Sequence, residues 1–139
     1  MKKLALLSAT ALSLASMVFA PVAIAREDPG TLDFQSARLG DEGSIILSGT
    51  IECTEGAAYS HSLSARQAHG NKPIVNGRGA VNGTCTTTGA EPFTAVEVVP
   101  DLGHRPFKKG DVRLTWAGFF CDGPDPCDFL DSAETIRVR

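Results

Sequence analysis

Four aspartates at three-residue spacing, Asp122, Asp125, Asp128 and Asp131, run through the stretch FFCDGPDPCDFLD near the end of the chain. Carboxylates gathered on a loop are the chemistry that a hard cation such as calcium needs. The spacing does not match the oxygen, glycine and glutamate pattern of an EF-hand loop, and Pro124 and Pro126 stiffen the segment. The aspartates therefore read as solvated turn residues that keep a β-edge soluble, and no metal is expected. Nucleophile chemistry finds no support either: Gly-x-Ser-x-Gly and Ser-x-x-Lys arrangements are missing from the sequence. His61, His69 and His104 stand far apart and read as surface or strand-edge residues. No His-x-x-x-His or Cys-x-x-Cys spacing suggests zinc. The glycines of NGRGAVNG precede no helix that would cradle a phosphate, and Asn76–Gly79 reads as a β-turn. No cofactor is implied.

What remains as candidate chemistry is recognition. The binding residues expected from type and position are Trp116, Phe119, Phe120, Asp122, Asp125 and Phe129. Trp116 shares parity with Val112 and Leu114, which points it toward a core. Phe119 has the opposite parity and either faces solvent or is turned inward by a bulge at Gly118. An apolar patch of Phe119 and Phe129 beside the loop would be a binding surface.

The segment that must deliver these residues begins with a leader. Lys2 and Lys3 precede an uncharged apolar stretch from Leu4 to Ala20, and Ala23-Ile24-Ala25 supplies small residues before the first charge at Arg26. This predicts a secretory signal peptide over residues 1–25, cleaved after Ala25, and one domain over residues 26–139. The apolar stretch is shorter than the about 20 residues that span a bilayer, so no stable membrane insertion is expected after cleavage. Loss of Lys2 and Lys3 takes the net charge from −3 to −5. An acidic surface argues against nucleic acid as a partner.

All four cysteines lie beyond the leader, and an even count in an exported chain reads as two disulfides. Cys53–Cys85 with Cys121–Cys127 is the favoured pairing, because the second pair is local and spans a turn. Cys53–Cys121 is the rival. The localisation expected is extracellular, or periplasmic in a cell with an outer membrane.

Hydrophobic periodicity is two almost throughout. Ile45, Leu47, Gly49, Ile51 and Cys53 share one face, and Tyr59, His61, Leu63 and Ala65 share another against a serine face. Val112, Leu114, Trp116 and Phe120 line a third strand, Phe93–Val99 a fourth that Pro100 ends, and Ile136 and Val138 point inward near the end. TLDFQSARL and GAVNGTCTT are weaker strand candidates. About seven short strands separated by turn signals predict an all-β fold, an antiparallel immunoglobulin-like β-sandwich.

The run GSIILSGTIECTEG, a polar middle ending in a second cysteine, FKKGDVRLTW and a late strand together resemble small secreted immunoglobulin-like domains of uncharacterised bacterial exported proteins. TWAGFFCDGPDPCDFLDSAETIRV is also similar to the final hairpin of neocarzinostatin-type chromoprotein apoproteins. The first resemblance implies a fold and no reaction. The second implies a hydrophobic ligand cleft beside the hairpin.

The function expected is therefore that of a non-catalytic extracellular binding module, with an extracellular protein, a glycan or a small ligand as partner. The alternatives are a carrier of a small hydrophobic ligand and, third, a hydrolytic enzyme.

Overall fold

The computed structural model describes residues 30–139, so the predicted leader and its cleavage site lie outside the described residues. Seven strands follow one another: β1 (Gly30–Leu39), β2 (Ile45–Cys53), β3 (Ala58–Gln67), β4 (Val75–Thr84), β5 (Gly89–Pro100), β6 (Gly110–Cys121) and β7 (Asp128–Val138). A short 3-10 turn, Asp41–Gly43, joins β1 to β2.

The period-two pattern is what makes these segments strands. On β2, Ile45, Leu47, Gly49, Ile51 and Cys53 are buried, while the residues between them are exposed or half-buried. On β6 the same alternation buries Val112, Leu114, Trp116, Gly118 and Phe120. Alternation of this kind lets one face of a sheet cover a core while the other meets water. Both weaker candidates contain strands, although β4 starts earlier than GAVNGTCTT and ends before Cys85.

The seven strands close into a barrel in the order β1-β2-β5-β4-β3-β6-β7. Closure goes beyond the open two-sheet arrangement that the sequence suggested, and it depends on two narrow seams. β4 meets β5 only at Gly77↔Pro100 and Arg78↔Val99. β1 meets β7 in parallel at Ala37↔Val138, extended by Arg139 N–H donating to the Ala37 carbonyl and Leu39 N–H to the Arg139 carbonyl. By contrast, β6 and β7 pair along their length from Gly110↔Val138 to Phe120↔Asp128.

The glycines at 77 and 79 correct the turn expected at Asn76–Gly79, for this segment lies inside β4. A Cβ at Gly77 would come within 2.6 Å of the Phe107 ring and of the Val99 carbonyl oxygen, and one at Gly79 within 2.5 Å of the Glu97 carbonyl oxygen. These glycines let β5 and the Phe107 loop approach the β4 backbone, so their presence marks a close crossing and not a reversal of the chain.

One core fills the barrel. Phe34 packs edge-on against Phe93 and against Trp116, with ring centroids at 5.5 and 5.0 Å. Farther along, Phe120 stacks against His61 and Tyr59. Burying a side chain such as Phe120, Leu47 or Ile51 contributes roughly 1.5–3 kcal/mol each. Both favoured disulfides are formed, Cys53–Cys85 and Cys121–Cys127, and no cysteine is free among the described residues. Two disulfides are compatible with an extracellular or periplasmic location.

Candidate functional site

The β6–β7 hairpin carries the expected recognition residues, and its strand register sorts them. Trp116 is 6% exposed and turned inward onto Phe34. Phe120 is 1% exposed beneath Tyr59. Both are core residues, and both drop out of the set of surface recognition residues.

Phe119 and Phe129 stand directly opposite each other, on the outer face. No bulge at Gly118 turns Phe119 inward: β6 pairs continuously with β3 and β7 on either side of it. Phe119 is 41% exposed and Phe129 72%. Paired aromatic side chains across two strands support the hairpin by about 0.2–1 kcal/mol, but so much exposed ring surface is costly unless it is covered. Asp122 and Asp125 project from the loop that Cys121–Cys127 closes, and both are exposed.

Gly118 explains how the hairpin sits on β3. A Cβ there would meet the Ser60 carbonyl oxygen at 2.0 Å and His61 Cα at 2.6 Å. Its absence brings β3 close enough for the His61 ring to lie 4.8 Å from Phe120. His61 is therefore not the surface histidine expected from sequence. It is 1% exposed, and neither ring nitrogen has a hydrogen-bond partner. Burial pushes its pKa down, since a charged imidazolium would lose its water. Parity with Leu63 and Ala65 was the signal for this placement.

The same end of the barrel carries Glu91. Its Oε1 accepts from Thr86 N–H at 2.5 Å, from Thr86 Oγ1 at 3.0 Å, from Thr87 Oγ1 at 3.1 Å and from Thr87 N–H. The Thr87 backbone bond, with further help from the threonine side chains and the Thr86 amide, lowers the Glu91 pKa. The Tyr59 phenol is pushed up by burial first and by the Glu91 charge second.

Charge is divided between the two ends. No lysine or arginine occurs in residues 39–65, 79–104 or 114–136; with the start of β1, parts of those segments supply the barrel end that carries the two disulfides, while Asp41, Glu42 and Asp101 within them lie at the other end. Glu52, Glu55, Glu91, Asp122, Asp125, Asp128 and Asp131 lie in the disulfide-bearing half. The cations collect toward the opposite end, among them Arg66, Lys72, Arg105, Lys108 and Arg113. This polarity can be read in part from the sequence by asking where cations are missing.

Among the described residues no group of three or more His, Cys, Asp or Glu side chains is placed to hold a metal ion. His104 Nδ1 accepts from the Asn76 amide at 3.1 Å, a structural contact. The hairpin face bears a shallow depression of about 530 Å³ lined by Ser62, Ser64, Arg78, Thr115, Ala117 and Asp131, together with Trp116 and its neighbours. Hydroxyl and methyl groups dominate its floor, and Phe119 and Phe129 lie outside it.

Comparison with protein-family models, with curated proteins and with solved structures finds no match for this chain.

Proposed function

We propose that this chain is an exported, non-catalytic binding module with immunoglobulin-like strand organisation, and that its contact surface is the acidic, phenylalanine-bearing end. The observation that carries the reading is the Phe119–Phe129 pair. Two exposed rings in direct register sit beside a disulfide-closed loop, where little of their position is lost to motion. A rigid aromatic pair supplies contact area at low entropic cost.

The immunoglobulin-like reading is supported by the strand order. β1, β2 and β5 form one group and β4, β3, β6 and β7 another, and only the two narrow seams join them. Export is supported by the leader, by two disulfides and by the absence of a free thiol among the described residues. The partner fitted to this end presents apolar surface together with positive charge, because Asp122 and Asp125 stand exposed on the loop beside the two rings. The carrier alternative needs an enclosed, aromatic-lined cleft, whereas the depression is open and, beyond Trp116 and Leu63, lined by Ser, Thr and Ala with Arg78 and Asp131.

The test is capture by the immobilised protein from its own medium and envelope, run beside the Phe119→Ser/Phe129→Ser variant and an Arg105→Ser/Lys108→Ser variant. Partners retained by wild type and by the second variant, and lost with the first, support the reading. Equal capture by all three moves the contact surface elsewhere.

A further inference from the structure

We propose that the outer face of β4, β3, β6 and β7 binds a second copy of this chain, face to face, with the strands of the two copies running antiparallel. The inference rests on the reading of Phe119 and Phe129 as contact residues and names their occupant.

Register lays this face out in rows. Asn82, Ser60, Phe119 and Phe129 form the first row. Ala80, Ser62, Ala117 and Asp131 form the second, and Arg78, Ser64, Thr115 and Ala133 the third. Asn76, Arg66, Arg113 and Thr135 form the fourth. At about 3.3–3.4 Å per residue, the phenylalanine row and the arginine row are roughly 20 Å apart. Between them the small side chains leave the depression of about 530 Å³. The face thus has an aromatic, acidic ridge at one end, a guanidinium ridge at the other and a low floor between.

Arg66 and Arg113 are directly opposed across β3 and β6, both exposed, and neither makes an ion pair with any described residue. Like charges directly opposite on a sheet destabilise it. On the same face Asp111, beside Arg113, is engaged by Arg137 at 3.4 Å, and the carboxylate toward the phenylalanine row is Asp131.

A two-fold axis lying in the interface, perpendicular to the strands and passing between the second and third rows, satisfies both ridges at once. It sets the phenylalanine row of each copy over the arginine row of the other. Phe119 then meets the Arg113 guanidinium of the other copy, an attractive geometry for a cation and an aromatic ring, and Asp131 lies over the third row of the other copy, one strand and one row from Arg113. The small rows oppose each other and allow the approach to about 10 Å at which sheets stack. A two-fold axis along the strands would instead stack acidic end on acidic end. A foreign partner would need only one ridge, whereas a second copy uses both, and such self-complementarity is what a two-fold interface requires. The face is small for a stable dimer, so a Kd of about 10–100 µM is expected.

The experiment is sedimentation equilibrium of the disulfide-intact protein from about 1 to about 500 µM, a range that brackets that Kd. The expected result is a monomer–dimer equilibrium weakened at least tenfold by high salt and by Arg66→Glu/Arg113→Glu, and likewise by Asp131→Arg. Mixing those two variants should restore a heterodimer, because each then offers the charge the other lacks. A monomer throughout the range overturns the proposal. So does a dimer indifferent to salt and to both charge reversals, or a mixture that stays monomeric. If wild type is monomeric while Phe119→Ser/Phe129→Ser still abolishes capture from the envelope, only the dimer falls. If neither self-association nor capture depends on the two phenylalanines, the contact-surface reading falls with it.

Discussion

The two ends of the barrel are held by different means. At the cationic end the backbone zips both seams, through Gly77↔Pro100 and Arg78↔Val99 on one side and Ala37↔Val138 on the other. There a buried glutamine reinforces it: Gln67 Oε1 accepts from Lys108 N–H at 2.9 Å, and its Nε2 donates to the Lys108 carbonyl at 2.7 Å. At the acidic end β4 and β5 have parted, and the junction is spanned by Cys53–Cys85 and by Glu91 holding Thr86 and Thr87. One covalent bond, Cys53–Cys85, therefore stands where β4–β5 backbone pairing is missing, while Cys121–Cys127 closes the loop of the fully paired β6–β7 hairpin. An end that is stapled instead of zipped can keep its strand ends and loops free of sheet partners, and those are the groups a contact surface needs.

This contrast can be broken from either side. The largest effect is expected for Cys53→Ala/Cys85→Ala, which opens a loop closed over a separation of 32 residues and should cost about 3–4 kcal/mol in urea unfolding. Removing Cys121 and Cys127 opens a loop with a separation of only 6 and should cost about 2 kcal/mol. Next comes Gln67→Ala at the zipped end, which strands the Lys108 amide and carbonyl. A loss of about 2–3 kcal/mol is expected, with faster amide exchange around Phe107 and Lys108. A cost for Gln67→Ala above that of the Cys53–Cys85 pair would reverse the account of which end needs reinforcement most.

His61 sharpens the comparison through pH. Because its folded pKa lies below the unfolded value, its neutral form is favoured by folding. Its contribution is complete above about pH 6.5 and declines as the pH falls below that value. His61→Leu removes two unpartnered nitrogens and should raise stability by about 1 kcal/mol at neutral pH. The gain over wild type should widen below pH 6, as followed by thermal melts. Glu134 gives the smallest effect and the opposite sign. Burial, then the Asp33 charge, raises its pKa, so its protonated form is favoured by folding and stability is lost as the pH rises through the folded value. Glu134→Gln should raise Tm slightly at pH 7 and have less effect at pH 4.

Much of the barrel was legible in period two. The inward residues of β2 and β6 could be named from alternation, and the local cysteine pair followed from its turn. Asn76–Gly79 was misread because Asn-Gly is a turn signal, while the actual constraint is the proximity of Phe107 and Val99, residues distant in sequence. Closure was not legible because it depends on very few pairs between strands far apart in the chain. At the site, parity separated Phe119 from Trp116 correctly, yet Phe120 was counted as a surface residue although it shares the parity of Trp116. His61 shows the same conflict: residue type suggested the surface, whereas alternation placed it inside, and packing across Gly118 followed alternation.

The most direct measurement of the central claim is carbene footprinting by mass spectrometry, comparing dilute purified protein with the protein in its native envelope. The account predicts strong protection of Phe119 and Phe129 in the envelope, with labelling of Leu102, fully exposed on the β5–β6 connection, unchanged. Equal labelling of the two phenylalanines in both settings, or protection confined to the cationic end, would contradict it.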